Sequence, residues 1–293
     1  MASTKKKSAA KARRSSSKSA FSVFIIGAGK VGTGLARALR AKGVDVTVRA
    51  ARRGLPTRRI EADLLVLAVR DRELPKLAES LAEAGLVSRK TAVVHCAGSL
   101  GPEPLAALRD VSAGIAQMHP MISFASTRFC PSLVRGQVHV FGDTKAAALA
   151  RKLAKILDMS PRTIPELNKV GYHAAAGLVA NGAAALAAAG ALLLERAGVH
   201  ENVAPKMLGP LLRSVADNVE RLGFPDALTG PVRRGDAAGV ERHFQTIEKL
   251  APEIVPLYLA VVEAQIPLAR EIGDAPAEAF DAIEDVVRRL KKG

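Results

Sequence analysis

From Phe21 onward, the first half of the chain alternates short apolar runs with amphipathic stretches. The runs are Phe21–Ile26, Val44–Val48, Leu64–Val69, Thr91–Cys96, Ala113–Met118 and Val138–Phe141. A strand that is apolar on both faces needs cover on both, which a parallel sheet flanked by helices supplies. The stretches Lys30–Ala41, Arg72–Ala84, Glu103–Arg109 and Lys145–Leu157 read as those helices. The expected class is therefore α/β, with a doubly wound parallel sheet. Only 3% of residues are aromatic and none is Trp, so Ala, Leu and Val must fill the core.

After Pro165 the strand pattern stops. Pro165 and Glu166 suit a helix start, and helices are expected over about 166–196, 201–222, 239–249, 253–272 and 276–291. Gly198, Gly223 and Gly273 punctuate them. The expected organisation is a basic tail over 1–20, an α/β domain over 21–165 and an all-helical domain over 166–293. Ala174–Leu194 carries no charge and is long enough to span a bilayer. It is mostly Ala and Gly with Asn181 inside, so it reads as a buried central helix, and no membrane partner is expected.

The net charge of +15 is uneven. Lys5, Lys6, Lys7, Lys11, Arg13, Arg14 and Lys18 lie in a tail with no acid, which leaves +8 (15 less 7) on the remainder. Such a tail cannot offset its own ordering entropy and reads as a solvated extension, with weak nucleic-acid contact as the alternative. It lacks the apolar run of a secretory signal. With two Cys there is no disulfide framework, and a reducing, cytoplasmic setting is expected.

Gly27-Ala28-Gly29-Lys30-Val31-Gly32 is a GxGxxG run between the first apolar run and the first helix. In a dinucleotide-binding Rossmann domain the first glycine makes the turn, the second admits a pyrophosphate and the third lets helix pack on strand. NAD sites place an acid at the end of the second strand. Here Arg49 stands there, followed by Arg52 and Arg53. A guanidinium fork suits a 2′-phosphate, so NADP is the expected cofactor, ahead of NAD or an F420-type deazaflavin.

Ligands in such sheets bind beyond the carboxyl ends of the strands. Ala68, Val69, His95, Ala97, Gly98, Ser99 and His119 therefore line the expected rim, with Ala68, Val69, Ala97 and Gly98 on the cofactor side. His95, Cys96, His119 and Cys130 match no zinc spacing, so no metal is expected. In the helical half, Lys169, His173, Gly177 and Asn181 recur every four residues as a polar stripe. Lys169 or His173 is a candidate proton donor and Asn181 a candidate orienting group. A second candidate is the loop Leu228–Asp236, whose Thr229, Gly230, Arg234 and Asp236 read as a pocket wall.

Together GAGKVG, HCAGS, MHP, KVGYHAAAGLVAN and ALTGPVRRGD resemble one family: Rossmann-like proteins with a C-terminal DUF 2520 domain. The resemblance runs from Phe21 to about Lys292. It implies kinship with 6-phosphogluconate, 3-hydroxyisobutyrate and prephenate dehydrogenases, and with ketopantoate and pyrroline-5-carboxylate reductases. It further implies a homodimer, and a Lys acid/base on the first helix after the Rossmann domain, a place Lys169 with His173 resembles. The expected function is NADP-dependent hydride transfer to or from a small carbonyl or imine bound between the domains. The alternative is an NADP-binding sensor or scaffold without turnover.

Overall fold

The computed structural model describes residues 21–292. The basic tail, and with it the expected nucleic-acid contact, lies outside them. The chain divides into two compact units, 1–176 and 177–293.

In the first unit, strands β1 (Ser22–Ile26), β2 (Asp45–Arg49), β3 (Leu64–Leu67), β4 (Ala92–His95), β5 (Ile115–Pro120), β6 (Gln137–Gly142) and β7 (Ser160–Arg162) form one sheet, in the order β2-β1-β3-β4-β5-β6-β7. Helices α1 (Lys30–Ala41), α2 (Leu74–Glu83) and α3 (Thr144–Ile156) cover it. Side chains alternate across the sheet. Val23, Ile25, Leu64, Val66 and Val94 enter one core with Leu35, Leu39 and Leu153. Ile26, Leu65, Leu67 and Val93 enter the other with Leu74, Leu81 and Leu105. This double burial is why these strands read as unbroken apolar runs. Below β1, the Asp63 carboxylate accepts from the Ser22 backbone N–H (2.8 Å) and hydroxyl (2.9 Å), holding the N-terminal ends of β1 and β3 together.

Several local expectations are corrected. β6 runs antiparallel to β5, so the sheet is mostly rather than wholly parallel. Residues 103–108 form a 3-10 helix. β7 is an additional edge strand, and its Pro161 is tolerated because an edge strand can forgo an amide donor. The long helix starts at Lys169, not Glu166. Glu166 has φ 55°, and the Asn168 side chain accepts from the Gly171 N–H at 2.9 Å.

Helix α4 (Lys169–Arg196) crosses the division between the units. The second unit continues with α5 (Ala204–Leu222), α6 (Ala237–Leu250), α7 (Val255–Ile272) and α8 (Ala277–Leu290). Its core comes from α6, α7 and α8, through Val240, Phe244, Leu259, Val262, Ile266, Phe280 and Ile283, with Val232 from the loop before α6. The expectation of a buried central helix is corrected: α4 has no buried residue. Among the described residues its apolar side chains are at most partly covered, and Leu178, Val179 and Leu186 are exposed. By length and hydropathy α4 and residues 252–272 are the two described helices able to cross a membrane, and the second is partly buried in protein.

Candidate functional site

The sheet order changes direction between β1 and β3, and the glycine turn sits there. Its three glycines answer to different demands. Gly27 has φ +121°, and a Cβ on it would collide with the Ala68 carbonyl oxygen. A Cβ on Gly32 would collide with the Gly27 carbonyl oxygen and lie 3.3 Å from the Ala68 Cβ. Both are required by the protein's own packing. Gly29 has ordinary φ (−77°), stands at the N-cap of α1 and has nothing within 4 Å of its added Cβ. No internal contact demands a glycine there.

Gly29 borders a cavity of about 300 Å³ lined by Gly27, Ala28, Gly29, Ala50, Ala51, Arg52, Ala68, Val69, Arg70 and Glu73. The free N–H groups at the start of α1 are suited to an anion. Lys30 is exposed at the rim, whereas Val31 packs on the core and helps fix the helix.

The three arginines after β2 separate in role. Arg49 is corrected from ligand reader to loop clamp. Its Nε donates to the Gly54 carbonyl (2.9 Å), and its Nη2 to those of Arg53 and Leu55 (2.8 Å each). Arg52 lines the cavity, and Arg53 is exposed. Arg70, which follows Ala68 and Val69 at the rim beyond β3, lines the same cavity.

A second polar centre gathers around Gly98. His95 is corrected from a pocket residue to a structural one. It is fully buried, its Nε2 lies 2.6 Å from the Gly101 carbonyl, and its Nδ1 accepts from the Ala97 N–H at 3.1 Å. Nε2 therefore carries the proton, both nitrogens are engaged, and burial lowers the pKa against the pull of Gly101, Asp71 and Glu103. Gln117, its register partner on β5, donates to the Ala97 carbonyl at 2.8 Å, and its Oε1 lies 3.2 Å from His139 Nδ1. An amide oxygen only accepts, so His139 Nδ1 carries the proton. His139 Nε2 is buried without a hydrogen-bond partner among the described residues. Burial lowers the His139 pKa, the Ile164 carbonyl offsets part of this, and the Lys169 charge adds to it.

Helix α4 brings Tyr172 and His173 to this centre. The Tyr172 hydroxyl lies 3.2 Å from His119 Nδ1, and its ring meets those of His119 and His139 at 5.4 and 5.8 Å. His173 meets His119 edge-on at 5.7 Å. Burial, then the neighbouring His173, His139 and His95, lowers the His119 pKa to about 4. Burial raises the Tyr172 phenol above its usual range. Near neutral pH this is a protonated phenol against an uncharged imidazole. Lys169 stands one turn earlier, with Nζ 5.1 Å from the centre of the Phe141 ring. Cys96 is no nucleophile, since burial pushes its thiol up to about 12. Ser99 reaches Asp71 at 3.4 Å.

Gly98 makes the convergence possible. A Cβ there would collide with His173 Nδ1 and lie 2.8 Å from His119 Nε2. Gly98→Ala is expected to displace both rings and cost about 1–3 kcal/mol of stability. Urea unfolding and ¹⁵N-histidine spectra check this; unchanged spectra would contradict the packing.

The remaining candidates lie in the second unit. Asn181 is exposed on α4. Asp236 is corrected from pocket wall to helix cap, since its carboxylate accepts from the Gly239 N–H at 2.7 Å at the start of α6. Arg233 holds the loop through Asp274 and the Asp226 and Leu228 carbonyls. Thr229 and Arg234 are exposed, and Gly230 has φ 96° with open space around it. Tyr172, Gln117 and His139 escaped sequence reasoning; the one signal was Tyr172 beside His173 in a chain with two tyrosines. Among the described residues no group of His, Cys, Asp and Glu is placed to hold a metal.

Two family descriptions match the chain: a Rossmann-like domain over residues 6–120, and a domain of unknown function, DUF2520, over residues 137–265. No sequence among the curated proteins matches it. Three solved structures are similar. BF3122 from Bacteroides fragilis, provisionally assigned as an NADP oxidoreductase, is 22% identical over 84% of this chain and 98% of its own, with a TM-score of 0.63. Plasmodium falciparum pyrroline carboxylate reductase with NADP bound is 13% identical over 86% and 98%, with a TM-score of 0.55. A Streptomyces aurantiacus imine reductase is 19% identical over 90% and 99%, with a TM-score of 0.50. The glycine turn at the β1/β3 switch and the helical half beyond Lys169 thus carry two matched domains in sequence, and the chain is a Rossmann-like protein with a C-terminal DUF2520 domain.

Proposed function

We propose that this protein is an NADP-dependent oxidoreductase that exchanges hydride with a small carbonyl or imine substrate. The observation that carries the reading is Gly29, a glycine no internal contact requires, open to a cavity at the N-terminus of α1. A pyrophosphate there would meet free amide N–H groups and the positive end of the helix dipole. Arg52 and Arg70 place guanidinium groups on the cavity wall, and no acid ends β2 where a ribose-binding carboxylate would stand. Glu73 is the one acid in the lining. Arg49, by fixing residues 53–55, holds the loop that presents Arg52.

NADPH, when bound, supplies the hydride. This chain's own residues handle the proton. Tyr172 offers a phenol O–H that stays protonated at neutral pH, and His119 beside it accepts or returns that proton. Lys169 and His173 on the same helix face are further donors. Two of the similar structures are named as reductases of an imine and of pyrroline carboxylate, which directs the substrate search to C=N and C=O groups.

Calorimetric titration with NADPH, NADH and a deazaflavin in parallel tests the cofactor. NADPH is expected to bind at least about tenfold tighter than NADH, a difference of ~1.4 kcal/mol, and Arg52→Ala to remove most of that preference. Equal affinities, or a preference that survives Arg52→Ala, would overturn the phosphate assignment. NADPH oxidation across a panel of ketones and imines tests the chemistry. Tight binding with no oxidation by any member would favour a sensor without turnover.

A further inference from the structure

We infer that the outer face of α3 is a docking surface for double-stranded nucleic acid, held through its phosphate backbone without reading its bases. Charge is unevenly divided along this chain. Residues 1–168 hold 29 Lys and Arg against 12 Asp and Glu, and residues 169–293 hold 14 against 16, so the positive excess lies wholly in the first part. There, α3 carries Lys145, Arg151, Lys152 and Lys155 and no acid. Its inner side is fixed in the core through residues such as Ala150 and Leu153. Lys145, Ala148, Lys152 and Lys155 stand on the outer side, and all four are exposed.

In the second unit, Arg196, Arg233, Arg270 and Lys291 each meet a carboxylate at 2.6–2.7 Å. Among the described residues no such pair forms on α3. The acids that flank it are taken elsewhere, Asp143 by Arg109 and Asp158 by Lys42. Arg151 is held by a hydroxyl instead, its Nη2 donating to Thr163 Oγ1 at 2.6 Å. Arg151 and Lys155 are four residues apart and Lys152 and Lys155 three, spacings at which like charges repel on a helix. An external anion relieves that repulsion. The same three side chains, with Ala148 and Ile156, line a cavity of about 620 Å³. Phe21, the first described residue, has its ring centre 4.4 Å from Lys152 Nζ. Residues 1–20, with seven Lys and Arg and no acid, are therefore joined to the chain beside α3.

The chemistry of the face selects a duplex over other polyanions. A lipid surface needs apolar side chains to sink beneath the headgroups, and a protein partner needs an apolar centre to bury. None of the exposed large apolar residues lies between 142 and 163. Single strands are held by stacking on aromatic rings, and this stretch has no aromatic residue. From Lys145 to Lys155 the helix rises about 15 Å, a length along which a duplex carries roughly nine phosphates. Lysines meet phosphates as flexible point charges and present no fork to a base edge, so the binding is independent of sequence.

Fluorescence anisotropy of the full chain with a labelled DNA duplex of about 20 base pairs, over about 50–200 mM NaCl, tests the proposal. Binding is expected to weaken steeply with salt, and two duplexes of unrelated sequence to bind within about threefold of each other. Lys145→Gln/Lys152→Gln/Lys155→Gln removes three phosphate contacts. The slope of log affinity against log salt should become shallower by about 2–3, and affinity at about 50 mM salt should fall at least about tenfold. The variant should melt no lower than the unmodified chain, since it loses only exposed, mutually repelling charges. Lys206→Gln/Lys249→Gln/Lys292→Gln makes the same change of charge on exposed positions of the second unit and should leave the slope unchanged. No duplex binding by the unmodified chain would overturn the proposal. So would an α3 variant with the original slope, which would leave the tail as the contact. Displacement of the duplex by saturating NADPH would overturn it by placing the duplex in the cavity at Gly29. Flotation with phosphatidylcholine/phosphatidylglycerol vesicles that the α3 variant loses would overturn it by making lipid the occupant.

Discussion

Gly29→Ala is expected to leave the fold intact and to weaken NADPH binding about a hundredfold, some 2.7 kcal/mol. The backbone at Gly29 suits any residue, and the new methyl meets nothing within 4 Å. Its cost falls on whatever occupies the space above it, where a pyrophosphate and a methyl cannot both fit. Gly32→Ala has the opposite signature. Its methyl would be driven into the Gly27 carbonyl, so α1 must withdraw from β1. A loss of at least ~3 kcal/mol is expected, a large fraction of a typical domain's stability. For a chain of this size that is roughly a 10 °C fall in melting temperature. Thermal melting and calorimetric titration of the two variants separate the effects. If Gly29→Ala bound NADPH as well as the unmodified protein, the turn would not be the phosphate cradle.

The second large effect is with pH. The His119 pKa is lowered from about 6.5 to about 4 by burial and by neighbouring histidines. The unfolded chain therefore takes up a proton in a range where the folded chain does not. The contribution to stability is complete above pH 6.5 and is lost as the pH falls toward 4. For one such group the loss is about 2–3 kcal/mol, and His95 and His139 shift in the same direction. Urea unfolding at pH 7 and pH 4.5 should show that loss, and His119→Gln should reduce it. An equal loss in both proteins would place the acid sensitivity elsewhere, in carboxylates common to the two.

How far these features were legible in the sequence depends on how local their cause is. The glycine turn was legible because one tight turn imposes all three spacings within six residues. The strands were legible because burial on both faces leaves an unbroken apolar run. That same signal is blind to direction, so β6 could not be told from a parallel strand. β7 was invisible because Ser160-Pro161-Arg162 is a strand only through its pairing with β6. At the Gly98 centre, His119, His139 and Tyr172 come from β5, β6 and α4, and only the sheet register brings them together. Arg49 and Asp236 carried the right chemistry for a ligand, but nearby backbone groups engage them first. The apolar content of α4 reads as that of a buried helix, yet α4 has no buried residue, because composition does not say which neighbours a helix will find in the fold.

The position of Tyr172 has a practical consequence for spectroscopy. The chain has no Trp, and its other tyrosine, Tyr258, belongs to the core of the second unit, with its hydroxyl on the Val240 carbonyl. Tyrosine emission, swamped by indole in most proteins, is therefore unobscured in this one. Tyr258→Phe leaves a single fluorophore, held against His119 and His139 where the proton chemistry is proposed. The site thus carries its own optical reporter, one that needs no attached dye and that protonation of its imidazole neighbours will dim.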